Sequence, residues 1–362
     1  MIQHFGLVRQ YENLKDELLD ASDQVLRTGC LVEGPFTDLF EKWLRERTGA
    51  MFAVTCHSGT QALEIIAKWR YQRYCLSKLT PGPPTIRIPN ITYPATMNAF
   101  INAGWEIELI DTDKCGIIQD VPYSVICLVG LYGKGPWTDN QYPGYQYQFD
   151  NDVIVDGAQH WLVAQGQIGQ GMAISFDPTK NLPSSGNGGA LVTNDSDLYN
   201  FACNYKNNAK LSNHVTSGTN SKMSEQDCAQ ILVRTKYIDQ WQQRRSEIAK
   251  YWHDAFQHLE HETPGLRCLS AGTTHHAHQK FVVYTPDRVS LGAYLLGNGI
   301  ECKIHYPYAL SELPVAKNFI KPDLLSTSVM LTRGVLSLPI YPELTDTEVE
   351  HIAKTVNDFF MR

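Results

Sequence analysis

Short apolar runs bounded by Gly, Pro or Asn recur along the chain, and each reads as a buried strand. They fall at 52–56, 85–88, 106–110, 125–129, 153–156, 173–176 and 190–193. Other segments repeat apolar residues at helical spacing. Residues 11–28 bring Leu14, Leu18, Leu19 and Val25 to one side, and 36–48 turn Phe40, Trp43 and Leu44 inward. Ala62, Ile65, Ile66 and Trp69 repeat the pattern after the first strand. Strands separated by helices specify an α/β fold, here a mainly parallel seven-stranded sheet with helices on both faces.

The pattern changes towards the C-terminus. Helices are expected at 196–208 and 224–259, the latter opening at Ser224 with Asp227 and breaking near Tyr237. Two further strands, 280–284 and 335–338, follow with a helix at 290–297. A last helix opens on a capping box, Thr345 with Glu348. This divides the chain into a large domain, 1–237, and a smaller α/β domain, 238–362. Polar or Gly-rich loops are expected at 71–84, 130–150 and 209–222.

Composition narrows the function. A chain of 362 residues has ample core for such a pair of domains. The net charge of −7 argues against a general nucleic-acid surface. Nine cysteines, with no C-x-x-C and no zinc spacing, read as free thiols in a reducing compartment and imply no metal site. The first residues lack the apolar core of a signal peptide, and no apolar run approaches membrane-spanning length. A cytoplasmic protein is the expectation.

Candidate chemistry gathers between Val153 and Asp195. Asp156 closes an apolar strand, Gln159 follows, Ser175 sits in the next strand, and Lys180 lies between Pro178 and a glycine cluster. Taken singly, most Asp and Lys residues are solvated surface charges. Together, an acid at a strand end and a lysine about two dozen residues on suit pyridoxal phosphate (PLP). The lysine forms a Schiff base with the aldehyde. The carboxylate pairs with the protonated pyridine nitrogen, so that the ring withdraws electrons. Ser175 offers a hydroxyl to the phosphate. Upstream, Ser58-Gly59-Thr60 links a strand to a helix, a geometry that turns free backbone N–H groups towards a phosphate. Ser and Gly are also ordinary N-caps there. Tyr93 stands at another strand-to-helix turn, where an aromatic either stacks on a flat ring or packs the core.

These residues stand in register with a known family. The chain resembles the DegT/DnrJ/EryC1/StrS aminotransferases, sugar aminotransferases among the fold-type I PLP enzymes. It carries acid-x-Ala-Gln as Asp156–Gln159, Ser-Phe-x-x-x-Lys as Ser175–Lys180, and Gly-Gly-Ala-x-x-Thr-Asn-Asp as Gly188–Asp195. Ser58-Gly59-Thr60, Gly218 through Ser224, His305-Tyr306-Pro307 and Leu338 through Pro342 extend the match over nearly the whole chain. The resemblance implies PLP on Lys180, with Asp156 on the pyridine nitrogen. It implies Gly59 and Thr60 as phosphate cradle, Tyr93 against the ring, and Gln159 at or near the ring 3-oxygen. It also implies a homodimer in which Asn220 crosses to the neighbour's phosphate. His305 either lines the substrate side or is structural. The implied reaction moves an amino group from an amino acid, glutamate first among them, to a nucleotide-linked keto sugar.

The chain also departs from the family pattern. His160-Trp161 follows the Asp156 element, Gly130 replaces a usual His, and Asn187 replaces a usual acid. All are expected on the substrate side. They leave open a PLP enzyme acting on a non-sugar or modified-nucleotide substrate, decarboxylation included, and a PLP-binding regulatory relative without turnover. Lys180 itself argues against the dehydratase branch, which carries His there.

Overall fold

In a computed structural model the described residues are 1–77, 82–118, 125–136, 153–164, 166–262, 266–270, 275–322 and 324–362. The large sheet has seven strands: β1 (Phe52–Cys56), β2 (Thr85–Pro89), β3 (Glu106–Ile110), β4 (Ile126–Val129), β5 (Val153–Asp156), β6 (Gly171–Ser175) and β7 (Gly189–Thr193). Their order is β1-β7-β6-β5-β4-β2-β3. β7 alone runs against its neighbours, and the other pairings are parallel.

Helices cover both faces. α1 (Leu7–Thr28), α2 (Pro35–Thr48) and α6 (Glu225–Thr235) pack on one side; α3 (Gly59–Ser77), α4 (Pro94–Ala103) and α5 (Ser196–Tyr205) pack on the other. β5 explains why these strands are apolar throughout. Val153 and Val155 enter the first core and Ile154 the second, so no position faces water. α1 buries Leu14, Leu18, Ala21 and Val25 and ends at Gly29, whose φ of 67° only glycine adopts cheaply.

A second, antiparallel sheet holds β8 (Arg267–Cys268), β9 (Phe281–Tyr284) and β10 (Val335–Leu338) in the order β10-β9-β8. α7 (Ile238–Glu262), α8 (Arg288–Gly297) and α10 (Asp346–Phe360) close its core around Trp252, Phe256 and Phe281. The first residues of the chain join this core. Ile2 packs into it and bridges to Ile300.

Expected and observed elements differ at several points. α3 runs on to Ser77 where a loop was expected from residue 71, because Tyr71–Leu76 are mostly fair-to-good helix formers. α1 starts at Leu7, before its expected start, and α5 stops at Tyr205. β8 and α9 (Ser326–Gly334) were not anticipated, being too short or too mixed to show a period. The break near Tyr237 appears as the gap between α6 and α7. Residues 137–150 of the aromatic loop after β4, and 78–81 of the loop before β2, lie outside the described residues.

Candidate active site

The parallel strands bring their C-terminal ends to one edge of the sheet, where open α/β sheets bind ligands. A cavity of about 460 Å³ opens there. Gly59, Thr60, Tyr93, Asp156, Gln159, Ser175, Lys180 and His305 all line it. Asn220 does not. It is exposed in the loop after α5, where its Oδ1 accepts from Lys222 Nζ at 3.0 Å.

The candidate phosphate cradle is main chain. Ser58 caps α3, its Oγ accepting from Gln61 N at 3.1 Å and its carbonyl from Ala62 N at 3.0 Å. The amides of Gly59 and Thr60 are then first-turn donors without a partner inside the helix. Close approach requires glycine on both sides. A Cβ on Gly59 would lie 2.7 Å from Ser175 Cβ, and one on Gly189 would lie 2.2 Å from the Ser58 carbonyl carbon.

Asp156 ends β5 with 6% exposure. It accepts from Thr96 Oγ1 at 2.7 Å and from Ala158 N at 3.1 Å. Burial pushes its carboxyl up from the ordinary range, and those two donors and Lys180 pull it back. Lys180 is held by a turn, its amide donating to the Asp177 carbonyl at 2.8 Å. Burial pushes its ammonium down, against Asp156 and Asp177. A buried carboxylate at one end, a lysine facing it, and a helix N-terminus beside a serine suit the pyridine nitrogen, aldehyde and phosphate of PLP.

Gln159 is held between two tyrosines. Its Oε1 accepts from Tyr132 N at 2.5 Å, and its Nε2 donates to Tyr306 Oη at 3.0 Å. Tyr93 is 58% exposed with its ring 5.7 Å from that of Tyr306, so it faces the pocket and is not core. His305 Nδ1 lies 2.8 Å from Ser337 Oγ. Burial and then Lys280 and His4 hold its imidazole down at about 2.

The departures divide into two pairs. Gly130 and Asn187 line the pocket, as expected. His160 and Trp161 do not, which corrects their expected place on the substrate side. Trp161 packs edge-on against Trp43 and Phe176 in the core. His160 is fully buried, and its ring fills the space a side chain at 130 would need. A Cβ on Gly130 would lie 1.9 Å from His160 Nδ1. His160 in this position thus leaves no room for a side chain at 130.

Several residues escaped the sequence reading: Phe5, Lys280, Lys303 and Tyr306 on the pocket wall, and Thr96 behind it on Asp156. Thr96 had a signal, a hydroxyl on the first turn of the helix after Tyr93. Phe5, Lys280 and Lys303 had none, because tertiary packing alone brings these distant segments together. Among the described residues no helix is long and apolar enough to cross a membrane.

Comparison with known proteins places this geometry. The model of the DegT/DnrJ/EryC1/StrS aminotransferase family matches residues 12–121 and 157–357. The chain belongs to this family, and it is a PLP-dependent aminotransferase with the fold-type I architecture. It is 29% identical over 380 residues to a dTDP-3-amino-3,4,6-trideoxy-alpha-D-glucose transaminase of Streptomyces venezuelae, covering 100% of this chain and 97% of the relative. It is 25% identical over 376 residues to a pleiotropic regulatory protein of Geobacillus stearothermophilus, covering 98% and 97%. The crystal structure of DesV from S. venezuelae, solved with a ketimine intermediate, matches at a TM-score of 0.86 and 26% identity, covering 100% and 99%.

Proposed function

We propose that this enzyme moves an amino group from an amino acid, glutamate, to a keto sugar joined to a nucleotide. The observation that carries this reading is the convergence of Asp156, Lys180 and the first turn of α3 on one cavity. The names of its sugar-transaminase relatives supply the acceptor class.

Bound here, pyridoxal phosphate supplies an aldehyde and an electron-withdrawing ring. The amides of Gly59 and Thr60 and the Ser175 hydroxyl would hold the phosphate at the positive end of α3. Asp156, fixed by Thr96, would keep a proton on the pyridine nitrogen. Tyr93 would cover a face of the ring, and Gln159 would support the hydrogen bonds around its 3-oxygen. Lys180 is the residue that would hold the cofactor aldehyde, through Nζ. Its amine, once free, would serve as the general base that takes the proton from the donor Cα. Burial favours the neutral amine that this step needs. His305 lines the substrate side. In this reading residues 1–237 form the cofactor-binding unit and 238–362 the smaller unit. Asn220 completes the phosphate site of a second copy in a homodimer.

The test is a product assay of the purified protein with glutamate and several nucleotide-linked keto sugars. Amino sugar is expected, with borohydride fixing the cofactor to Lys180. Lys180→Ala abolishes product, and Asp156→Asn lowers the rate at least about a hundredfold. Labelling of another lysine overturns the assignment. The glycine at 130 and Asn187 on the pocket wall favour a second reading, an acceptor that is not a nucleotide-linked sugar. Product from such an acceptor and none from nucleotide sugars selects it. Bound cofactor with no turnover on any acceptor selects a regulatory relative.

A further inference from the structure

The pocket carries more positive charge than the proposed chemistry uses. Among its lining residues, the lysines 180, 280 and 303 face the carboxylates of Asp156 and Asp177. Lys180 is assigned to the carbonyl carbon and Asp156 to the pyridine nitrogen. Lys280 and Lys303 have no part in either.

These two ammonium groups converge. Lys280 Nζ lies 5.4 Å from the centre of the Phe5 ring, and Lys303 Nζ lies 5.5 Å from the same centre. Lys280 is 5% exposed, and its amide is tied to the Tyr132 carbonyl at 3.1 Å. Burial, Lys180, Arg245 and Lys303 push its ammonium well below the ordinary lysine range, with Asp177 opposing. Arg245 itself is turned to the carbonyls of His278 and Ile340. Lys303 has Glu301 Oε1 at 3.5 Å, while the other oxygen of that carboxylate accepts from His4 N at 3.0 Å. A buried ammonium short of counter-charge is costly, and an arriving anion offsets that cost. The Phe5 ring lies near both ammonium groups but cannot neutralise them.

We propose that Lys280 and Lys303 form an anion subsite beside Lys180 that holds a phosphoryl or carboxylate group carried by the substrate itself. The proposal rests on reading the pocket as a transamination site. The group belongs to the same small molecule as the reacting carbon, so the two lysines both select charged substrates and hold that carbon against Lys180. Either the acceptor's phosphoryl group or the donor's carboxylate presents this chemistry.

The experiment is calorimetric binding to the holoenzyme, whose cradle is already filled by the cofactor phosphate. The probes are glucose 6-phosphate, glutarate and glucose. Wild type is expected to bind at least one anion roughly tenfold or more tighter than glucose. Lys280→Met and Lys303→Met keep the apolar stem. Each is expected to weaken anion binding about ten- to a hundredfold and to leave glucose unchanged. Loss confined to glucose 6-phosphate assigns the group to the acceptor, and loss confined to glutarate assigns it to the donor. Lys303 is exposed, so Lys303→Met decides the matter even where Lys280→Met fails to fold. Anions that bind no tighter than glucose, or that bind Lys303→Met as they bind wild type, overturn the subsite. Binding needs no turnover. A failed product assay beside lysine-dependent anion binding overturns the transaminase reading alone, and product formation beside lysine-independent binding overturns the subsite alone.

Discussion

Two walls of the pocket are built by different means. The cradle wall is main chain: the first turn of α3, with β7 and the end of β6 packed against it. Its register is set by strand pairing, Gly189 lying opposite both Cys56 and Ser175. The other wall is side chain: Phe5 from the N-terminal segment, Lys280 just before β9, and Lys303, His305 and Tyr306 from the segment after α8. Tyr132 Oη donates to the His305 carbonyl at 2.5 Å and ties this wall to the large sheet. Main chain offers every ligand the same N–H groups, so the cradle suits what all members of the family hold. Side chains differ in charge and shape, so Phe5, Lys280 and Lys303, which lie outside the family motifs, suit what distinguishes one member from another.

That contrast can be broken most sharply at the cradle. If Asn220 of a second copy completes it, a Lys180→Ala chain mixed with an Asn220→Ala chain under exchange should regain activity. In the heterodimer one site keeps both residues and the other lacks both. Activity is expected to rise above either inactive parent. No recovery despite demonstrated heterodimers, or an active monomer by sedimentation, removes the shared cradle.

The next effect is steric. Gly189→Ala places a Cβ 2.4 Å from Gly59 N, in the middle of the cradle. Either β7 or the turn must shift, at a cost of about 1–3 kcal/mol. Cofactor affinity is expected to fall with stability, read by titration of the holoenzyme absorbance and by thermal unfolding. A variant that binds cofactor as wild type does would show that the wall is not rigid main chain.

The smallest effect belongs to the side-chain wall. Burial holds His4 at about 3 and His305 at about 2, with Lys280 also pushing both down. The unfolded chain takes up these protons near pH 6.5 while the folded chain does not, so stability present above that pH is lost as pH falls towards 3. At pH 5 buried His4 alone should cost roughly 2 kcal/mol. His4→Gln is expected to flatten the fall in unfolding temperature between pH 7 and 5. An unchanged profile would mean that the wall opens and admits water on protonation.

Much of the large sheet was legible because its strands are buried on both faces. A run such as Val153–Asp156 has no polar position to blur it, and the turn after it carries the acid. The cradle was legible for a related reason: close backbone approach demands Gly59 and Gly189, and glycine is visible in any sequence. The short β8 and the helix before β10 were not, since two residues or a mixed turn carry no period.

The sequence by itself therefore determined most elements of the large sheet and the family, which rest on short apolar runs and on motifs in register. Tertiary structure alone decided the rest. It sent His160 and Trp161 into the core, filling with one ring the space above Gly130. It carried Phe5 from the first residues to Lys280 and Lys303, on segments far apart in the chain. The physical reason is that burial and charge pairing act through space. No local pattern records which distant ammonium will share a ring, or which histidine will occupy the volume a glycine leaves.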